Sequence, residues 1–273
     1  MECRAVLGAS IVCAAAVFAS ASDQNYGEGN ARVQLVASAD RLGPAEPLLI
    51  GVEFDIRPGW HIYWKNPGGA GLATAIEWRL PEGVNAGNLQ WPVPVAFTQG
   101  GDIPGYGYEG SVILAAEILS AKALVGDTVV GASVSWLACN DVCVLGSAEL
   151  SAPVAGIADD RLFGGWAASL PQPIPSSDPP LSLSTTGGLS KGTIGLWLKW
   201  RAAPVAVEWF PDPPSGLEVE NVTVQTRGGL TRVDAAVRLM AGSTVSAETL
   251  NSVVVVTDEN HRRRGWDLAV GLN

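Results

Sequence analysis

Cysteine and histidine are scarce in this sequence. Of 273 residues, four are cysteine and two are histidine, His61 and His261. Two histidines leave little room for a Ser-His or Cys-His catalytic pair. The sequence also has no Gly-rich phosphate loop, no G-x-S-x-G elbow and no H-E-x-x-H motif, which are the usual marks of nucleotide-binding proteins, hydrolases and zinc proteases. These absences disfavour the common enzyme classes.

Basic residues and long apolar runs are also lacking. The 17 Lys and Arg residues are outnumbered by 27 Asp and Glu residues, which gives a net charge of −10. This balance argues against a nucleic-acid partner, because phosphate binding needs clustered positive charge. Beyond the first residues no stretch approaches 18 uninterrupted apolar residues. We therefore predict no transmembrane segment in the mature chain.

The first 21 residues have the layout of a secretory signal peptide. Arg4 precedes an apolar run from Ala5 to Phe18, and Ala19-Ser20-Ala21 is a small-residue cleavage site. This order of a charged, an apolar and a small-residue region predicts export and cleavage. We expect residues 22–30, which are polar and Gly-rich, to form a flexible leader.

The composition of the sequence predicts an all-β protein. Ten tryptophans, 32 glycines and 18 prolines, together with many Val and Thr, favour short strands separated by turns. The alternating pattern of Leu49–Ile56 is typical of a half-buried strand. Regular strand spacing without helical periods indicates a β-sandwich over residues 31–155. The strands predicted most clearly there are Leu48–Ile56, Ser111–Leu119 and Thr128–Ala138.

A short helix and a Pro-rich linker are expected at residues 156–180. Leu162, Phe163 and Trp166 recur at near-helical spacing, which predicts a helix over Asp159–Ser169 with an aspartate as N-cap. Five prolines follow before residue 181 and indicate a linker. Residues 181–273 again have β character and are predicted to form a second sandwich of unknown role.

Cys139 and Cys143 are the only cysteines after the leader, and they are three residues apart in a C-x3-C pattern. In an exported protein such a pair is usually a disulfide. Its five-residue loop would contribute only about 2 kcal/mol of stability, against about 4.7 kcal/mol for a 100-residue loop. Three interpretations remain open: a thiol-disulfide exchange centre, a structural disulfide, and a Cu(I) site formed by the two thiolates with His61. We assign no resident metal and no organic cofactor.

The surroundings of the pair indicate the direction of any exchange. A strong attacking thiolate needs a nearby cation or helix N-terminus, and no basic residue lies close in sequence. Asp141 stands between the two cysteines, where its negative charge would disfavour a thiolate. We therefore predict that this pair is better suited to being attacked, as a disulfide, by a thiolate of another protein than to attacking as a thiolate.

Aromatic residues in two stretches could cover the disulfide. One stretch runs from Pro58 to Gly68, and the other, Gly105–Gly110, has the pattern of a flexible aromatic loop. Tryptophans in such runs commonly belong to the core. Two interpretations therefore stay open: the aromatic residues are part of the core, or they cover the disulfide. The candidate shielding residues are Trp60, His61, Tyr63, Trp64, Tyr106 and Tyr108.

Residues 31 to 155 resemble the amino-terminal periplasmic domain of the DsbD/ScsB thiol:disulfide interchange proteins. The motifs that carry the resemblance occur in the family's order: Trp60, Tyr63–Gly68, Trp78–Pro81, Trp91–Pro94, Gly105-Tyr106 and Trp136–Cys143. The resemblance implies an immunoglobulin-like sandwich in the periplasm with Cys139 and Cys143 as the redox pair. It also implies an activity of the protein-disulfide reductase type.

By the same resemblance, the pair would accept electrons from a membrane donor and pass them to periplasmic thioredoxin-fold oxidoreductases. Full-length family members continue into a membrane domain, whereas this sequence ends at Asn273. We therefore expect a DsbD-, ScsB- or CcdA-like donor in trans. ScsB-type relatives are tied to copper tolerance, which suggests a copper-stress context. The main alternative is a binding module whose disulfide is only structural.

Overall fold

The computed structural model describes residues 26–27, 29–41, 48–120, 124–243 and 249–272. The predicted signal peptide and most of the predicted leader lie outside them. Gly29 and Asn30, at the end of that leader, are buried, and the Gly29 carbonyl accepts a hydrogen bond from the Trp136 indole at 2.8 Å. Residues that precede the first strand are therefore packed against the sandwich.

Strands dominate the secondary structure of the described residues and helical turns are few, as predicted for an all-β protein. The strands are β1 Ala31–Ala37, β2 Leu48–Ile56, β3 His61–Gly68, β4 Ala75–Arg79, β5 Val84–Ala86, β6 Val95–Gln99, β7 Ile103–Tyr108, β8 Ser111–Ser120, β9 Val129–Cys139, β10 Cys143–Pro153, β11 Gln172–Pro173, β12 Leu181–Gly188, β13 Thr193–Trp200, β14 Ala206–Asp212, β15 Leu217–Arg227, β16 Leu230–Leu239, β17 Thr249–Thr257 and β18 Arg263–Gly271. The helical turns are α1 Val154–Ile157, α2 Asp160–Phe163, α3 Trp166–Ser169 and a 3-10 turn, Leu189–Lys191.

Strands β1 to β10 form two facing antiparallel sheets. One has the order β1-β2-β8-β5 and the other β10-β9-β3-β7-β6, with β4 also paired to β9. Burial in β2 follows the sequence alternation, since Ile50, Val52, Phe54 and Ile56 are almost fully buried. These side chains pack between the sheets with apolar residues of β8 and β9. Burial of that apolar surface is the main stabilising contribution to such a sandwich.

The segment after β10 packs across the first sandwich. The predicted helix is instead two four-residue turns, α2 and α3, separated by Gly164 and Gly165. Asp159 is the N-cap, as expected, and its carboxylate accepts a hydrogen bond from the Arg161 backbone N–H at 3.2 Å. Trp166 is buried, and its indole donates to the Ile113 carbonyl at 2.9 Å. The two glycines, which are poor helix formers, explain the break.

Strands β11 to β18 form two further four-stranded sheets. Their orders are β11-β18-β17-β14 and β12-β13-β16-β15. The pairings are antiparallel except for β11, which runs parallel to β18. Leu196 and Leu198 of β13 are fully buried in the core that these sheets share. Residues 181–272 thus have a hydrophobic cluster of their own.

Candidate redox site

Cys139 and Cys143 form a disulfide between two neighbouring strands. They are directly opposite each other in the β9–β10 ladder, with their Cα atoms 4.1 Å apart. The three-residue turn is held by a hydrogen bond from the Asn140 backbone N–H to the Val142 carbonyl at 3.0 Å and by one from the Val142 N–H to Asn140 Oδ1 at 3.1 Å. The bond therefore lies across the end of an already paired hairpin.

The two cysteines differ sharply in exposure. Cys139 is 1% exposed, whereas Cys143 is exposed at the end of the hairpin. Val142 and Leu145, on either side of Cys143, are 60% and 69% exposed. A thiol from another protein can thus approach the Cys143 side of the bond, and Cys139 is shielded from it.

Strand pleating places the disulfide on the face of the sheet that points away from the core. Trp136 and Ala138 of β9 lie in the core cluster, so Cys139, whose side chain alternates with theirs, points to the opposite face. His61 of β3 is paired directly opposite Cys139. Tyr63, two residues further along β3, shares the face of His61. Both side chains are therefore neighbours of the disulfide.

Tyr63 contacts the buried sulfur directly. Its hydroxyl lies 3.2 Å from Cys139 Sγ and 2.8 Å from Gln99 Oε1, and both are hydrogen-bond contacts. The side chain is completely buried, and this burial raises the pKa of the Tyr63 phenol while the hydrogen bond to Gln99 opposes the shift. The hydroxyl is consequently protonated at neutral pH and has one hydrogen to donate.

His61 lies in an aromatic cluster beside the disulfide. Its ring centroid is 3.8 Å from that of Phe97 and 5.3 Å from that of Tyr63. Nε2 is buried with no hydrogen-bond partner in the described part of the chain. Burial lowers the pKa of His61. The imidazole is therefore neutral at pH 7 and offers no positive charge to stabilise a thiolate.

Two glycines of β7 make room for this cluster. A Cβ atom on Gly105 would lie 2.2 Å from a ring carbon of Phe97, and one on Gly107 would lie 1.9 Å from the Ile62 carbonyl oxygen. The ring of Phe97 thus lies against a strand without side chains on that face. The prediction of a flexible loop at Gly105–Gly110 was wrong, because these glycines permit close packing inside a strand. Phe97 and Gln99 were missed altogether, and nothing in their short apolar-polar alternation sets them apart.

The six predicted shielding residues fall on two faces of the sheet. His61 and Tyr63 lie with the disulfide. Trp60, Trp64, Tyr106 and Tyr108 belong to the core cluster on the other face. Their environments are apolar, and the Tyr108 hydroxyl donates to the Pro92 carbonyl at 2.8 Å. The structure brings together only the two members that point away from the core.

Metal ligands are not grouped near the site in the described part of the chain. Among the described residues, no three or more His, Cys, Asp or Glu side chains cluster in a way that could hold a metal ion. The chemistry available from these side chains is that of a disulfide with one accessible sulfur and one buried sulfur beside a hydroxyl donor.

These features define an antiparallel, immunoglobulin-like sandwich with a partly exposed disulfide at the end of a hairpin. The family described as thiol:disulfide interchange protein DsbD, N-terminal, matches residues 32–155. That segment of the chain is therefore similar to the DsbD amino-terminal domains. No curated protein sequence matches the chain.

The fold is also similar to that of a solved structure. The N-terminal periplasmic domain of ScsB from Proteus mirabilis superposes with a TM-score of 0.68 at 22% identity, covering 89% of this chain and 94% of that one. The likeness extends well beyond residue 155 and so includes strands of the second sandwich. The collagen-binding domain of the Erysipelothrix rhusiopathiae surface protein RspB covers 89% of this chain and 95% of its own at 13% identity, but its TM-score of 0.21 supports no argument. In the part of the chain that the structure describes, no helix has the length and apolarity needed to cross a bilayer.

Proposed function

We propose that the Cys139–Cys143 disulfide is the redox centre of a periplasmic thiol-disulfide relay. The observation that carries this proposal is the asymmetry of the bond, with Cys143 exposed and Cys139 buried against the Tyr63 hydroxyl. A purely structural cross-link gains nothing from an accessible sulfur. The short loop that it closes also contributes little stability.

Attack on Cys143 starts the exchange. A donor thiolate forms a bond to Cys143 Sγ, the Cys139–Cys143 bond breaks, and its electron pair leaves on Cys139 Sγ. The second thiol of the donor then attacks the mixed disulfide and releases the Cys143 thiolate. Two protons complete the two thiols, so the donor is oxidised by two electrons and this chain is reduced by two.

Tyr63 assists the departure of the Cys139 sulfur. Its single hydroxyl hydrogen can serve only one acceptor at a time, and both Gln99 Oε1 and Cys139 Sγ are within reach. A thiolate accepts a hydrogen bond much more strongly than a disulfide sulfur does. As negative charge develops on Cys139, donation to its sulfur becomes favourable. Neutral His61 contributes no charge to this step, so the hydroxyl is the local source of stabilisation.

The similarity of residues 32–155 to the amino-terminal domain of a thiol:disulfide interchange protein supports exchange with other redox proteins. We infer a membrane-embedded electron donor acting in trans and thioredoxin-fold oxidoreductases of the periplasm as acceptors. The predicted signal peptide would direct export to the periplasm and then be cleaved. The reduced pair would attack an acceptor disulfide through Cys143, because that thiol is the accessible one.

The reduction potential of the pair tests this function. We expect a value between about −180 and −270 mV, the range of thiol-exchange proteins, from equilibration of the purified mature chain in glutathione or dithiothreitol buffers. A potential below about −300 mV, typical of structural disulfides, would contradict the relay and leave a binding module with a structural cross-link.

Trapping of mixed disulfides with single-cysteine variants tests which sulfur contacts the partner, and each variant is the control for the other. In Cys139→Ala, the free Cys143 thiol should form a stable mixed disulfide with an oxidised thioredoxin-fold protein. In Cys143→Ala, the buried Cys139 thiol should form far less of it. Equal yields from both variants would contradict the assignment of Cys143 as the contact sulfur.

A further inference from the structure

The second sandwich contributes three side chains to the core of the first, those of Phe210, Val253 and Val255. Phe210 of β14 is fully buried and belongs to the hydrophobic cluster of the redox sandwich rather than to that of its own half. Its ring packs edge-on against Trp64 of β3, with centroids 6.2 Å apart, and against Tyr106 of β7, at 5.2 Å. Burying a phenylalanine this completely ties the two halves together.

Polar contacts reinforce the same junction. The Lys65 ammonium forms an ion pair with the Asp212 carboxylate, and the two side chains are 35% and 26% exposed. Asn66 Nδ2 donates to the Pro211 carbonyl at 2.7 Å. Three consecutive residues of β3, Trp64 to Asn66, thus contact three consecutive residues of β14. Such partly buried contacts fix relative position more firmly than surface pairs do.

The strands held by this junction are those that form the redox site. Tyr63, whose hydroxyl contacts Cys139 Sγ, directly precedes Trp64 on β3. Strand β7, which carries Tyr106, also carries the two glycines against which Phe97 packs. Because side chains alternate, Phe210 supports these strands from the core face while the disulfide lies on the other.

We propose that residues 181–272 act as a positioning element of the redox centre, with Phe210 as the positioning residue. Phe210 and the contacts of Asp212 and Pro211 hold β3 so that the Tyr63 hydroxyl stays against Cys139 Sγ. The second sandwich is then required for fast exchange at a disulfide that it does not touch. The positioning effect can be measured without any partner protein. Its use in electron transfer rests on the proposed relay function.

The rate of disulfide reduction by dithiothreitol tests the proposal without any protein partner. We expect Tyr63→Phe to slow reduction by about three- to tenfold, the equivalent of one net hydrogen bond. Phe210→Ala should slow it to a similar extent. The double variant should be no slower than the slower single variant, because both changes remove the same contact. Free thiols are counted at each time point after maleimide quenching.

Leu198→Ala is the matched control. Leu198 is fully buried in the core of the second sandwich and belongs to the other cluster. This change should lower thermal stability while leaving the reduction rate unchanged. If Phe210→Ala prevents folding, Asp212→Ala provides the same test at the edge of the junction.

Three results would overturn the proposal. The first is an unchanged rate of disulfide reduction in a folded Phe210→Ala or Asp212→Ala protein. The second is a double variant in which the slowing by Phe210→Ala multiplies that by Tyr63→Phe. The third is an equal slowing in Leu198→Ala. A disulfide potential in the structural range would refute the relay instead, and it would leave these rate comparisons interpretable. The two failures are therefore distinguishable.

Discussion

The side chains around Cys139 supply a hydrogen bond without supplying a positive charge. Tyr63 is neutral because burial raises its phenol pKa, and His61 is neutral because burial lowers its imidazole pKa. Cations beside a cysteine strongly stabilise its thiolate and favour attack by it. A single neutral donor gives weaker stabilisation. This balance suits the proposed relay, in which the disulfide would receive electrons and release them again.

His61 should make the stability of the protein depend on pH. Its folded-state pKa lies below the unfolded value of about 6.5, so the unfolded chain takes up a proton first as the pH falls. The free energy of unfolding should therefore decrease from pH 7.5 to pH 5.5, by at most about 1.4 kcal/mol per pH unit for one proton. Urea unfolding of the mature protein at the two pH values measures this change.

His61→Gln should remove most of that pH dependence, because glutamine does not titrate. The matched control is His261→Gln, since His261 is the other histidine of the sequence and is exposed. That variant should retain the dependence of the natural protein. If the free energy of unfolding of His61→Gln changes with pH as much as that of the natural protein, the buried imidazole is not the source of the pH dependence.

At the scale of elements, strand β7 depends on its glycines for space rather than for backbone freedom. Gly105→Ala would press on the Phe97 ring, which can shift, and we expect a loss of about 1–3 kcal/mol. Gly107→Ala would meet the fixed Ile62 carbonyl and should cost more. Gly100→Ala meets nothing within 4 Å and should change stability by less than about 0.5 kcal/mol. Chemical denaturation of the three variants checks this order.

A structural consequence for His61 accompanies the Gly105 change. Displacing Phe97 would open the cluster to water, so the pKa of His61 should rise toward its ordinary value. The imidazole resonances in an NMR titration report this shift. An unshifted His61 in a folded Gly105→Ala protein would mean that Phe97 is not what buries it.

The sequence pattern predicted the long elements better than the site. Strand β2 has the predicted bounds, and β8 and β9 differ from prediction by one residue at one or both ends, because their apolar runs are long and bounded by turns. Strand β7 was missed because the glycines and the proline that it contains usually mark loops, and β6 was missed because it is only five residues long and lies between Pro94 and Gly100. The cysteine pair could be identified from the sequence because it contains the only cysteines after the predicted leader. Its neighbours Phe97 and Gln99 were not, since only the pairing of β6 with β7 and of β7 with β3 brings them to it.

At the scale of the whole molecule, the fold must survive both redox states for a relay to work. The hairpin that carries the disulfide is paired along its full length, from Cys143–Pro153 against Val129–Cys139. Two hydrophobic clusters and the Phe210 junction hold the remaining structure independently of that bond. The stability of the chain therefore comes from burial and strand pairing.

The double variant Cys139→Ala/Cys143→Ala tests this independence. We expect it to fold and to lose about 2 kcal/mol in free energy of unfolding, because the cross-link closes a loop of only five residues. Guanidinium unfolding measures this loss, and the reduced natural protein should show a similar midpoint. Loss of the near-ultraviolet circular dichroism signal in both the double variant and the reduced natural protein would contradict this expectation. The disulfide would then be a structural staple, and a protein that unfolds each time it is reduced could not act as a relay.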